Sequence, residues 1–166
     1  MVYKITNVLD TFLDIPSATA HCDIPCKIYD PSAAQVAAAT IVRLIDIVNE
    51  TLKAEDVMSL AGQNTIARCV MRKEEEAEKV KHEVRIIWGD YFKAPQFERF
   101  PEIHGLTHNI MMKASVCKQG VAREDGEALA ELLNQFAEIF WATKDVKTAR
   151  HNSPNLPNLP TVYPSL

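Results

Sequence analysis

The sequence predicts an all-α protein: a four-helix bundle preceded by a short N-terminal metal-binding hook. Three observations carry this. Four stretches place apolar residues at alternating three- and four-residue spacing, the connections between them are short, and no stretch shows the two-residue alternation of a half-buried strand. At 166 residues, 47% hydrophobic and 24% charged, the chain has the size and composition of one domain with one core.

Residues 1–20, MVYKITNVLDTFLDIPSATA, end in Ala-Thr-Ala, a small-residue pattern that some peptidases prefer before a cut. As a secretory signal the segment is poor: one lysine leads, and Asp10 and Asp14 interrupt the apolar run. On its residues alone it reads as an N-terminal arm that stays attached.

The hook is residues 21–30, His21-Cys22-Asp23-Ile24-Pro25-Cys26-Lys27-Ile28-Tyr29-Asp30. Thiolate and imidazole suit copper, zinc, nickel or iron rather than magnesium or calcium, and a tight turn between the cysteines would bring both sulfurs to one ion. The same spacing fits a redox dithiol, a disulfide, or half of a zinc site. No second cysteine pair supplies the other half, since Cys69 and Cys117 stand alone inside helical stretches, where they read as buried thiols.

Asp30-Pro31 reads as an N-cap followed by proline at the first helical position. Ile41, Leu44, Ile45, Val48 and Leu52, with Arg43, Asp46 and Glu50 opposite, predict an amphipathic helix over about residues 31–53. After Gly62, the series Ile66, Val70, Ala77, Val80, Val84, Ile87 and Tyr91 predicts a long second helix whose pattern breaks at Lys73. Glu74, Glu75 and Glu76 read as a solvated face.

Lys93-Ala94-Pro95 ends that helix, and residues 97–101 read as an aromatic loop. Ile103, Leu106, Ile110, Ala114 and Cys117 predict the third helix, with Gly120 as its cap. Leu129, Leu132, Leu133, Phe136, Ile139 and Phe140 predict the fourth, to about residue 143, so that the bundle spans 31–144 with Trp88 and Trp141 in its core. Residues 145–166, rich in proline and polar spacers, read as a flexible tail.

A net charge of -4, a pI near 5.7 and the lack of a basic stretch interleaved with aromatics argue against nucleic-acid binding. No apolar run approaches the roughly 20 residues of a bilayer span, so no membrane partner is expected. The cysteine usage fits a reducing compartment, and a cytoplasmic location is expected.

His21, Cys22, Pro25, Cys26 and Tyr29 match the pattern H-C-x-x-P-C-G-x-Y, and the hook resembles that of the nickel-containing superoxide dismutases. The similarity continues in W-G-D-Y-F-K-A-P-Q-F-E-R-F-P-E-I-H, from Trp88 to His104, and in I-F-W-A-T-K, from Ile139 to Lys144. The resemblance implies a precursor whose residues 1–20 are a pro-segment removed by a peptidase, one nickel ion per subunit, superoxide as substrate, and a homohexamer of four-helix bundles.

Cleavage after Ala20 would free the His21 amine. By the resemblance, that amine, the Cys22 amide and the Cys22 and Cys26 sulfurs form a square plane, with the His21 imidazole axial in the oxidised state. Two thiolates and a deprotonated amide donate enough charge to bring Ni(III) within reach, which aqueous Ni(II) does not allow. Asp23 would help fix the hook backbone, Tyr29 would gate substrate, Tyr91 would hydrogen-bond near Tyr29, and Lys93 would draw in the anion.

Two departures stand out. The family's glutamate and arginine partners of the axial imidazole fall at Ala37 and Glu76, so Glu76 is expected to supply the carboxylate. Lys27 stands where the family has glycine, which matters only if that residue has positive φ. On the residues alone two rivals remain: a metal-free thiol oxidoreductase using Cys22 and Cys26, and a structural metal-binding helical protein.

Overall fold

The structure, a computed structural model, describes residues 27–54 and 56–165. Four long helices form the bundle: α1 (Ser32–Leu52), α2 (Leu60–Ile86), α4 (Ile103–Gln119) and α5 (Arg123–Ala142). A short α3 (Ala94–Arg99) lies between the second and third of these, where the sequence predicts a loop. Pro95 in its first turn and a bond from the Lys93 N–H to Gln96 Oε1 (3.1 Å) start it, and they outweigh its lack of helical apolar periodicity.

α1 begins as expected. Asp30 Oδ1 accepts from the Ser32 N–H at 2.8 Å, so the residue before the proline supplies the cap. Its inward stripe includes Ala34, Ala37, Ala38, Ile41, Ile45 and Val48. The small residues allow close packing, and Gly126 of α5 continues the device: a Cβ there would lie 2.7 Å from Val42 Cγ2.

Contrary to the expectation from sequence, α1 is long and apolar enough to cross a bilayer, with a mean hydropathy of 1.2. Its alanines raise that mean without adding bulk. Here it serves as a core helix, and Asp46 on its flank is paired with Arg123 of α5.

Ser59 Oγ caps α2 by accepting from the Gly62 N–H at 3.1 Å. The break in the apolar pattern at Lys73 has a structural cause. Its side chain is buried, and the ammonium donates to the carbonyls of Cys117, Lys118 (2.7 Å) and Gly120 (2.8 Å) at the end of α4. A lysine of one helix thus closes the C-terminus of another, where the carbonyls lack intrahelical donors. Burial lowers the Lys73 pKa, while the carbonyl bonds still require a protonated amine. The neighbouring Cys117 thiol is pushed up to about 11, chiefly by burial, so it is inert at neutral pH.

The core runs through Ile41, Val84, Ile110, Leu133, Phe136 and Phe140, all 0% exposed. Cys69 and Cys117 are buried as expected, whereas Trp88 and Trp141 are only partly buried against the core.

The tail differs from the flexible extension predicted for 145–166. Residues 147–165 form an antiparallel hairpin, β1 (Lys147–Asn152) with β2 (Pro160–Ser165), in the register Ala149 to Tyr163 and Arg150 to Val162. Its prolines do not prevent this: Pro160 is the first residue of its strand and Pro157 lies in the loop, positions where a missing N–H is tolerated. The hairpin is fastened to the bundle by Asn134, 3% exposed, whose Oδ1 accepts from the Val162 N–H (3.0 Å) and whose Nδ2 donates to the Pro160 carbonyl (2.8 Å). Arg150 forks onto Glu131 (2.8 Å) and Glu138 (2.7 Å) of α5.

Candidate metal centre

The expected ligands His21, Cys22 and Cys26, together with Asp23 and segment 1–20, lie outside the described residues. What the structure describes is the exit of the hook, residues 27–30, and the surface on which Tyr29 sits. Lys27 has φ 54, in the left-handed region, so the condition under which the family's glycine matters is met. Two residues later Tyr29 is 8% exposed and seated against the bundle.

Its seat is Tyr91. The two rings lie 5.6 Å apart between centroids, tilted by 51°. Tyr91 ends a five-residue π-helical turn, Ile87–Tyr91, that continues α2. Such wide turns are rare and recur at functional sites because they re-aim side chains at the end of a helix. Phe140 of α5 backs the Tyr91 ring at 4.9 Å, and Lys144 Nζ lies over the Tyr91 and Phe140 rings at 4.9 and 5.1 Å.

Tyr91 was expected to hydrogen-bond near Tyr29. Its ring meets Tyr29, and its hydroxyl lies 2.6 Å from Thr143 Oγ1. Lys93 is exposed, with its ammonium 3.3 Å from the Gly89 carbonyl. Lys93 and Lys144 thus place two ammonium groups at the Tyr91 end of the bundle.

Glu76 is not the solvated residue that its neighbours Glu74 and Glu75 are. It is 5% exposed and ion-paired at 2.6 Å with Arg72, one turn earlier. Ala37, on the facing helix, is 0% exposed and offers no polar atom in its side chain.

Sequence reasoning missed Thr143 and Lys144 as members of this constellation. Both stand in the quoted I-F-W-A-T-K stretch, yet helical periodicity marks that stretch only as a helix end.

Among the described residues no group of three His, Cys, Asp or Glu side chains converges to hold a metal. In sequence, the two cysteines and the histidine of the hook, thiolate and imidazole donors of the kind that suits nickel, stand just before the seated Tyr29.

Residues 16–144 match the family model of nickel-containing superoxide dismutases. The chain is 34% identical over 128 residues to superoxide dismutase [Ni] of Streptomyces coelicolor, covering 77% of this chain and 91% of that one. It is 33% identical over 126 residues to the enzyme of the same name from Streptomyces seoulensis, covering 76% and 89%. The native structure of a nickel superoxide dismutase superposes with a TM-score of 0.63 at 32% identity, covering 75% of this chain and 99% of that one. Because the matched span holds both the hook and the whole helical bundle, the chain belongs to the nickel-containing superoxide dismutases and converts superoxide to dioxygen and hydrogen peroxide with nickel as its cofactor.

Proposed function

We propose that His21, Cys22 and Cys26 hold the nickel, and that Tyr29, Tyr91 and Lys93 form the substrate side of the site. The observation that carries this reading is the seating of Tyr29 on Tyr91, three residues beyond Cys26, beneath the Lys144 ammonium. Nickel, when bound, supplies one-electron exchange with superoxide in both directions. The protein supplies the rest: two superoxide ions and two protons yield one dioxygen and one hydrogen peroxide.

The cations of Lys93 and Lys144 raise the local concentration of the anion. Tyr29, fixed against Tyr91, limits what reaches the hook. Asp23 holds the hook backbone, and Glu76 accepts from the ring N–H of His21, which fixes the imidazole and raises its basicity.

The four donors that the resemblance implies require a free amine at His21, so residues 1–20 act as a pro-segment cut after Ala20 by a processing peptidase. The mature subunits assemble as a homohexamer in the cytoplasm. Superoxide is small and needs no large cleft, which fits a site at the end of a bundle.

The test is direct. A chain beginning at His21 should bind one nickel per subunit and dismute superoxide, whereas the chain retaining residues 1–20 should bind nickel weakly and be inactive. Full activity in the uncut chain would refute the amine ligation.

A further inference from the structure

Tyr91 Oη and Thr143 Oγ1 are 2.6 Å apart, and Thr143 Oγ1 is 2.6 Å from the carbonyl oxygen of Phe140. Both separations lie within the usual O–H···O range, toward its short end. Each hydroxyl carries one proton, and a carbonyl only accepts. The Thr143 proton therefore goes to Phe140, Thr143 Oγ1 is left to accept, and the Tyr91 proton points to Thr143. The chain of donors runs from Tyr91 into α5, where it ends on the backbone.

We propose that Thr143 is a positioning residue for the dismutase reaction: by taking the Tyr91 proton it leaves the phenol oxygen an acceptor only on the side facing the hook. The inference rests on the reading that Tyr91 borders the nickel site. An acceptor-only oxygen can receive a proton donor, such as a water, a tyrosine hydroxyl or hydrogen peroxide, but offers nothing to hold an anion. Superoxide is drawn to the site by Lys93 and Lys144 without being trapped at Tyr91.

Removing Thr143 Oγ1 frees the phenol proton. It can then turn and donate to an anion, which binds more tightly and leaves more slowly. The geometry around Tyr91 need not change, because the ring is held independently by Phe140 and Tyr29.

The experiment uses the nickel-loaded mature enzyme and follows superoxide decay over a range of concentrations. Thr143→Val should lower kcat by about 3-fold to 10-fold, the effect of one misdirected hydrogen bond, and lower KM with it. Thr143→Ser, which keeps the oxygen, should behave as the parent. Azide, a small anion that does not turn over, should perturb the nickel(III) spin-resonance signal of Thr143→Val at about 3-fold to 10-fold lower concentration. In a Tyr91→Phe background Thr143→Val should add nothing, because there is no proton left to direct.

Equal losses in Thr143→Val and Thr143→Ser would show a packing role and overturn the proposal. So would unchanged kinetics and azide response in Thr143→Val, or an undiminished effect in the Tyr91→Phe background. Should Thr143→Val not fold, Thr143→Ala takes its place with the same expectations. If Tyr91→Phe itself leaves kcat and the azide response untouched, the placement of Tyr91 at the site fails; if it alters them while Thr143→Val does not, only the role of Thr143 fails.

Discussion

Arg72 and Glu76 form an ion pair at 2.6 Å along one turn of α2, with the carboxylate 6% exposed and the arginine 58%. A carboxylate accepts at two oxygens, so the pair with Arg72 leaves capacity for a second donor. Burial makes any such donor matter more than it would at Glu74 or Glu75. Glu76→Gln should load nickel nearly normally and lower turnover by about 10-fold to 100-fold, as losses behind a histidine ligand do. Glu74→Gln and Glu75→Gln should change little. Kinetics together with the nickel(III) spin-resonance signal check this, and equal, negligible effects from all three would remove Glu76 from the site.

Cys22→Ser and Cys26→Ser should each abolish dismutase activity, because a hydroxyl cannot replace the thiolate donation that makes nickel oxidisable. Cys69 and Cys117 are buried in helices, so Cys69→Ser and Cys117→Ser should act on stability alone. Metal analysis beside turnover separates the two cases. A hook variant with near-native turnover would disprove sulfur ligation.

Lys27 at φ 54 carries a cost of about 1–2 kcal/mol for a side chain in the left-handed region. Lys27→Gly removes it but adds about 0.5–1 kcal/mol of chain entropy to the unbound hook. The net gain, of order 0.5–1 kcal/mol, should appear as nickel binding tighter by about 2-fold to 5-fold in a chelator competition. Lys27→Ala keeps the Cβ and should show no gain. Equal affinities for the glycine and alanine variants would mean that this φ is not a feature of the loaded hook.

How much of this was legible in the sequence depends on the kind of signal each residue leaves. The four long helices were readable because burying one face of a helix imposes a period, and Ile41, Val84, Ile110 and Phe136 keep it. Lys73 appeared only as an interruption, since its role depends on the carbonyls of another helix end, which no local pattern encodes. The hairpin was hidden by its prolines, and its anchors lie outside any local strand pattern: Glu131, Asn134 and Glu138 on the preceding helix α5, and Gln35 on α1, 127 residues from its partner Val162. The hook was legible because its donor types are uncommon and close together, whereas the Thr143–Tyr91 bond joins two helix ends 52 residues apart.

The hairpin lies beyond the span matched to the family and yet is tied to α1 and α5, which makes its attachment a separate question from catalysis. Asn134 is its central tie: replacing it by Ala strands the Val162 N–H and the Pro160 carbonyl, while Gln35 Nε2 keeps only its bond to the Val162 carbonyl. Unmet buried groups cost about 1–3 kcal/mol, so Asn134→Ala should lower Tm by roughly 2–12 °C in a chain of this size. Acid should loosen the outer tie as well. Burial raises the Glu131 pKa, but bonds from Arg150 and Gln135 outweigh it and hold the carboxyl below its usual 4.5. A carboxyl lowered in the folded state adds stability above its unfolded value, and that stability is lost as pH falls through the lowered one. The outer tie should therefore weaken in a small step below about pH 4.5 while Asn134 still holds the hairpin, read by the fluorescence of Trp141, which lines a cleft with Val162 and Tyr163. Arg150→Gln should lose this step, because Glu131 then has no cation to hold its pKa down. An unchanged acid step in Arg150→Gln would assign it to other carboxylates and leave Asn134 as the hairpin's main attachment.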